Sequence, residues 1–258
     1  MSGEVSSPGR SEALLRASSV SRAFAGVQAL NDVTFELARD EVVGLIGPNG
    51  AGKTTLINLM TGFDRPTSGT IEFDGQDVTS WSAVRRARAG LARTFQHGHL
   101  FGDLTVLENV ELAALGVGAS VREARRRADE LLEALDLRHR AGQLAASLPH
   151  GDERKVGVAR ALAGRPRYVL MDEPAAGLPE SEIGSLIEAI RSVRDRFQAG
   201  VLVVDHNMAL IMEVSNRIQA LDHGRTLAEG TPNEIRQNID VTAAYLGSSV
   251  VSEEPASA

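Results

Sequence analysis

Residues 42–55 run Val42-Val43-Gly44-Leu45-Ile46-Gly47-Pro48-Asn49-Gly50-Ala51-Gly52-Lys53-Thr54-Thr55. Val42 to Ile46 has the composition of a strand buried on both faces. It passes directly into Gly47 to Thr54, which satisfies the phosphate-loop pattern G-x-x-x-x-G-K-[ST]. Small residues are needed there because several backbone N–H groups must turn inward around a chain of phosphates. A helix beginning near Lys53 adds its positive end. On this reading Gly47, Pro48, Asn49, Gly50, Ala51, Gly52, Lys53, Thr54 and Thr55 form a cradle for a nucleotide. Lys53 offsets β- and γ-phosphate charge, and Thr54 offers its hydroxyl to Mg²⁺. The bland alternative is a glycine-rich strand-to-helix turn that holds no ligand.

A second stretch, Tyr168-Val169-Leu170-Met171-Asp172-Glu173-Pro174, is an apolar run that ends in two carboxylates. A buried strand delivers Asp172 to the carboxyl edge of a sheet, where a phosphate loop also sits, so Asp172 can complete a magnesium shell. Glu173 then lies where it can polarise an attacking water. Two acids after a strand are, taken alone, more often a turn or a helix cap. Beside the first motif they read as chemistry.

Outward from these motifs, short β-branched runs alternate with helical patterns. Val201 to Val204 is another apolar run, and Val33 to Leu37 alternates like a half-exposed strand. A parallel core with an antiparallel border follows. Between Val106 and Ala146 the texture is Leu, Ala, Glu and Arg at helical spacing, with Leu131, Leu132 and Leu135 on one face. This predicts a helical insertion, the alternative being one more crossover helix. The N-terminal MSGEVSSPGRSEALL lacks the basic start and apolar run of a secretion signal. Residues 1–12 and 248–258 are expected to be disordered tails.

The 258 residues are 43% hydrophobic and 24% charged, enough for one large α/β domain. Without cysteine there is neither a disulfide framework nor a thiolate metal site. No apolar run approaches the roughly 20 residues of a membrane-spanning helix. A net charge of -7 and 4% aromatic residues argue against a nucleic-acid partner. The clusters Arg85, Arg86, Arg88 and Arg122, Arg125, Arg126, Arg127 are expected on solvated helix faces.

From about Leu14 to Gly247 the chain resembles the nucleotide-binding domain of ABC transporters. The resemblance implies a P-loop NTPase (RecA-like) α/β core with a mainly parallel sheet, an antiparallel β border and a helical subdomain. It places the domain at residues 13–247 and the subdomain at about 97–164. It also implies ATP and Mg²⁺ as cofactors. Thr94-Phe95-Gln96 stands in the place of the family's Q-loop, so Gln96 would sense the γ-phosphate, ligate magnesium beside Thr54 and Asp172, and couple to a membrane subunit. Asp172 and Glu173 become Walker B and its catalytic neighbour. His206, in Val203-Val204-Asp205-His206, would stabilise the γ-phosphate during hydrolysis, and Phe24 fits the aromatic that stacks on adenine.

Leu148-Pro149-His150-Gly151-Asp152 occupies the place of the LSGGQ signature, which contacts the nucleotide bound by a second subunit. Gly151 matches, whereas Pro149 replaces the serine and Asp152 the glutamine. Proline brings neither a hydroxyl nor a backbone N–H. Pro179 likewise replaces the aspartate of the D-loop. The implied partners are transmembrane permease subunits and a second ABC ATPase, as a heterodimer rather than a homodimer, with peripheral attachment at the cytoplasmic face of the membrane. Gln96 and the stretch Leu104 to Leu115, with Val106, Leu107, Val110 and Leu112, are expected to form the docking face.

Arg93-Thr94-Phe95-Gln96-His97, Asp172 to Leu178 and the ending Ala244-Tyr245-Leu246-Gly247 are more similar to importers of branched-chain amino acids and related small amides. Lipopolysaccharide-export ATPases share the Tyr-Leu-Gly ending and the His206-Asn207 pair. A soluble ABC ATPase of repair or translation normally has two cassettes or long coiled coils, and a P-loop kinase would not need Gln96, the Gly151 segment and His206 in this order.

Overall fold

The chain begins as a hairpin of β1 (Leu14–Phe24) and β2 (Val27–Ala38), turned at Ala25 and Gly26, both at positive φ, in a computed structural model that describes residues 14–94 and 100–250, the last five as backbone only. β3 (Val42–Ile46), α1 (Lys53–Thr61), β4 (Ser68–Phe73), β5 (Gln76–Asp77), α2 (Ala83–Ala89) and β6 (Leu91–Thr94) follow. Then come α3 (Val106–Gly116), α4 (Val121–Ala134) and α5 (His150–Leu162). The remainder alternates: β7 (Tyr168–Asp172), α6 (Glu180–Asp195), β8 (Gly200–Val204), α7 (Met208–Val214), β9 (Arg217–Asp222), β10 (Arg225–Gly230), α8 (Pro232–Gln237) and α9 (Ile239–Val250). The expected tails at 1–12 and beyond 250 lie outside the described residues, but 248–250 belong to α9.

A four-stranded antiparallel sheet, β2-β1-β4-β5, borders a six-stranded sheet in the order β10-β9-β3-β8-β7-β6. In the larger sheet β9, β3, β8, β7 and β6 are parallel to their neighbours and only β10 runs antiparallel. The apolar runs in the central strands are explained by burial on both faces. Val42, Ile46, Val169, Met171, Val201 and Val203 join the helical core on one side. Val43, Leu45, Tyr168, Leu170, Leu202 and Val204 face α1 and the antiparallel sheet on the other. Along β2, Val33, Phe35 and Leu37 are buried while Thr34 is exposed and Glu36 half-buried, the alternation expected of a border strand.

The helices α3, α4 and α5 pack together, and Leu131, Leu132 and Leu135 are buried as expected. Their apolar side chains are continuous with the core of the parallel sheet. Thr105 and Glu108 close a capping box at the start of α3. The buried Asn109 binds the preceding loop through Phe101 and Leu104. The docking face expected on α3 is therefore corrected in part: Val106, Leu107 and Val110 are buried in the chain's own core, and only Leu112, Leu115 and Phe101 are exposed. Helical periodicity had marked an apolar face without saying what covers it.

Buried charge fastens the layers. Asp74 accepts from the Tyr168 hydroxyl and from Arg39 and Arg167, joining the β4–β5 turn to the edge of the parallel sheet. Burial acts to raise its pKa, but these donors hold it below the usual carboxylate value. The solvated face expected for Arg86 is corrected: it is 1% exposed. Its guanidinium donates to the carbonyls of Leu59, Met60, Val78 and Thr79, satisfying the C-terminal end of α1 and the start of α2's connection in one stroke. Burial pushes its pKa down to about 10. Arg125, Arg126 and Arg127 do lie on a helix face and pair with Glu111, Glu123 and Glu130.

Arg86→Met should take a donor from all four carbonyls, of which those of Leu59 and Val78 keep the backbone N–H groups of Gly62 and Trp81, and cost at least ~2 kcal/mol, because each buried orphan costs about 1–3 kcal/mol. The midpoint of urea unfolding measures this. Arg88→Met, on the same helix, is expected to change it by less than about 0.5 kcal/mol.

Candidate nucleotide site

The phosphate loop is shaped by close approach. Gly47 sits at φ +152°, and a Cβ there would lie 2.3 Å from the carbonyl oxygen of Leu221. Gly52, at φ +104°, is the N-cap of α1, and a Cβ on it would meet Leu30 Cδ2 at 2.6 Å and the Ala29 carbonyl at 2.7 Å. Any side chain at either position would fill the space that the loop needs. No side chain caps α1 and no acid lies in its first turn, so its N-terminal N–H groups and positive end face outward unneutralised. Lys53 is 8% exposed, and its ammonium donates to the carbonyls of Gly47 (2.6 Å) and Pro48 (3.0 Å). Burial lowers the Lys53 pKa, while the charges of Glu173 and Asp172 act to raise it. Asn49, Gly50 and Thr54 are exposed and Thr55 is half-buried. This donor set, a dry lysine and a free helix N-terminus around a side-chain-free turn, fits polyphosphate.

Strand order brings the acids to the same edge. β7 lies between β6 and β8, with Asp172 in register with Val204 and Thr94 with Met171. Asp172 accepts from Arg93 Nη2 at 2.8 Å, and Arg93 Nη1 donates to Asn58 of α1 at 2.7 Å. Arg93 was quoted above only as part of a subfamily segment. The signal that could have found it is a cation at the carboxyl end of a strand neighbouring Asp172. Glu173 holds a left-handed φ of +48°, fixed by its N–H donating to the Val204 carbonyl at 2.7 Å. That conformation is costly for a residue with a Cβ and persists where the surroundings enforce it. His206 Nε2 lies 3.2 Å from Glu173 Oε1, so the two residues expected to act on the γ-phosphate meet.

Asp205, 5% exposed, escaped the sequence reading. It accepts from the backbone N–H of Ala175 and of Asn207, each at 2.8 Å, and so ties the loop after Glu173 to the loop that carries His206. Burial raises its pKa, against the lowering effect of these bonds. Asn207 then caps α7 by accepting from the Leu210 N–H.

Phe24, Gln96 and the segment Leu148 to Asp152 complete the expected set. Phe24 is 44% exposed on the β1–β2 turn, with the Arg22 guanidinium 4.5 Å from its ring centre. Gln96 falls outside the described residues. Leu148 to Asp152 forms the N-terminus of α5, in the helical lobe. Pro149 is its N-cap and makes no side-chain bond; His150 is exposed; Asp152 accepts from Arg140 Nε at 3.0 Å. Gly151 is buried so tightly that a Cβ would lie 2.3 Å from Glu182 Oε2 of α6. The hydroxyl of Ser147 donates to the Leu144 carbonyl, and Arg154 donates to the carbonyl of Ala176 in the loop after β7.

Comparison with known proteins places this geometry. The ABC transporter family model matches residues 30–176, and the model described as branched-chain amino acid ATP-binding cassette transporter matches residues 225–251. The high-affinity branched-chain amino acid transport ATP-binding protein LivG of Escherichia coli (strain K12) is 40% identical over 252 residues, covering 92% of this chain and 99% of that protein. BraF of Pseudomonas aeruginosa, described in the same words, is 38% identical with the same coverage. The lipopolysaccharide export ATP-binding protein LptB of Haemophilus influenzae is 34% identical, covering 91% of this chain and 97% of that one. An ATP-binding cassette of an ABC transporter in its ADP conformation superposes with a TM-score of 0.83 at 26% identity, over 91% of this chain and 99% of that one. Among the described residues no helix is long and apolar enough to cross a membrane. A phosphate loop, two strand-end acids and a histidine gathered at one sheet edge, on this fold and with these relatives, leave one conclusion: the chain belongs to the ATP-binding, ATP-hydrolysing subunits of ABC transporters.

Proposed function

We propose that this subunit powers the import of branched-chain amino acids or related small amides, attached to permease subunits at the cytoplasmic face of the membrane. The observation that carries the catalytic part is the Glu173–His206 contact at the edge where Lys53 and Asp172 also converge. The match at residues 225–251 favours the importer over the lipopolysaccharide-export reading, whose relative is also less similar.

Each residue then has a task. The ammonium of Lys53 exchanges the carbonyls of Gly47 and Pro48 for phosphate oxygens, and the free N–H groups at the start of α1 bind the same chain. Phe24 offers an exposed ring for adenine. Thr54, Asp172 and Gln96 would hold Mg²⁺, which supplies neutralisation of phosphate charge. An ion that arrives on phosphates needs only a few protein oxygens, and no trio of His, Cys, Asp or Glu able to hold a metal alone occurs among the described residues. Arg93 balances the charge of Asp172 and anchors it to α1. Glu173 takes up the proton of the attacking water, while His206 holds the Glu173 carboxylate in place.

A cleft of about 670 Å³ opens between α2, β6, α3 and α5, lined by Phe63, Val84, Leu91, Ala113, Val117 and Pro174. Phe63 and Val84 are exposed in it. It receives a short cytoplasmic helix of the permease in place of the α3 face that proved buried.

The signature segment supports pairing with a second, different ATPase. Ser147 turns its hydroxyl onto its own backbone, Asp152 is engaged by Arg140, and Pro149 has no hydroxyl. This chain thus brings a complete phosphate loop and a weakened signature to any dimer.

Lys53→Ala is expected to weaken ATP binding by roughly tenfold to a hundredfold, the worth of about 1.5–3 kcal/mol of charge-assisted bonding. Glu173→Gln should keep ATP, trap a closed dimer and lower turnover by about 10²–10⁴. Equilibrium binding and steady-state hydrolysis measure both, and an unchanged rate in Glu173→Gln would remove Glu173 from the mechanism. In the isolated chain Pro149→Ser should raise hydrolysis by roughly tenfold to a hundredfold. Full activity of the isolated chain, indifferent to Pro149→Ser, argues for two equal sites.

A further inference from the structure

We infer that Tyr245, on the C-terminal helix α9, is a positioning residue of the nucleotide site that holds the first glycine of the phosphate loop in its binding conformation. The backbone N–H of Gly47 donates to the Tyr245 hydroxyl at 2.7 Å. The carbonyl of the same glycine accepts from Lys53, and its Cα is pressed toward the Leu221 carbonyl of β9. Gly47 is therefore fixed on three sides by three separate parts of the chain. Of these, Lys53 belongs to α1, which follows β3 in the chain, and Leu221 to β9, which pairs with β3. The third comes from α9, a helix that follows the last strand.

A glycine at φ +152° has no conformational preference of its own to keep it there. Its peptide N–H, buried at the end of β3, needs an acceptor, and the one it has is a phenol oxygen. Burial pushes the Tyr245 pKa further up, against the lowering effect of the Gly47 N–H, so the hydroxyl is neutral throughout the physiological range. Deleting that oxygen releases the loop at its first residue, and a loop that must be ordered on binding loses affinity. The segment Ala244-Tyr245-Leu246-Gly247, which marked the subfamily in the sequence, thereby gains a physical role. Beside the same tyrosine a cleft of about 700 Å³ separates α9 from α7, the helix that begins just after His206, with Met208, Met212 and Val241 on its walls.

The inference rests on Gly47 to Thr55 being the ATP site, which Lys53→Ala tests independently. The deciding variant is Tyr245→Phe in the full chain, which removes one oxygen and keeps the ring. Three quantities are measured: the ATP dissociation constant, the melting temperature with and without saturating ATP, and hydrogen exchange of the peptide covering residues 42–52. The expected result is about fivefold weaker ATP binding, the effect of one lost hydrogen bond. It should come with faster exchange in the peptide and a smaller ATP-induced rise in melting temperature than in the unaltered chain. An unchanged dissociation constant, with melting temperatures lowered equally in the presence and absence of ATP, overturns the inference, because the hydroxyl then only fastens α9. If Lys53→Ala also binds ATP normally, the site assignment fails as a whole; if Lys53→Ala is defective and Tyr245→Phe is not, only the role of Tyr245 is lost.

Discussion

The central strands of a parallel sheet covered on both faces have little room for polar side chains along their length, and this constraint arranges much else in the molecule. In β3, β7 and β8 the residues alternate between two apolar cores, so the chain can present charge only where the strands stop. Gly47, Asp172, Glu173, Asp205 and His206 all follow such endings. Being close to the core, the charges among them cannot stand alone, since an unpaired buried charge costs several kcal/mol. Lys53 rests on loop carbonyls, Asp172 on Arg93, and Asp205 on two backbone N–H groups. Each of these charged groups is thus held by a partner that the chain itself supplies.

What could be read from the sequence was whatever is local. A glycine-rich turn after an apolar strand, an apolar run ending in two acids, and strict alternation in Val33 to Leu37 each carry their meaning within ten residues or so. What could not be read depends on where distant segments converge. Arg86 sits among other arginines and has nothing in its own neighbourhood to distinguish it; its four acceptors come from α1 and from the segment after β5. Arg93 matters because β6 lies beside β7 in space, not in sequence. The apolar residues of α3 announced a buried face correctly, but the choice between a partner and the chain's own core belongs to tertiary packing. Asp205 and Tyr245 hold backbone groups of other loops, which no pattern in their own segments reveals.

Glu173 shows the two kinds of information meeting. Its place at the carboxyl edge of the sheet was legible from its position after Asp172, whereas its left-handed backbone was not. The chain leaves β7 here, and the loop from Pro174 to Pro179 that leads into α6 accepts a hydrogen bond from Arg154 of α5 at Ala176.

That contact has a mechanical result. The start of α5 meets the Glu182 carboxylate of α6 at Gly151, and Arg154 donates to the carbonyl of Ala176. The start of α5 and the loop after Glu173 are thereby joined as a bracket between the lobe and the sheet. If the lobe swings, the bracket carries the motion to the backbone on which Glu173 is mounted. A tug from outside the subunit would then arrive at the Glu173 carboxylate as a change of aim, with no bond broken on the way.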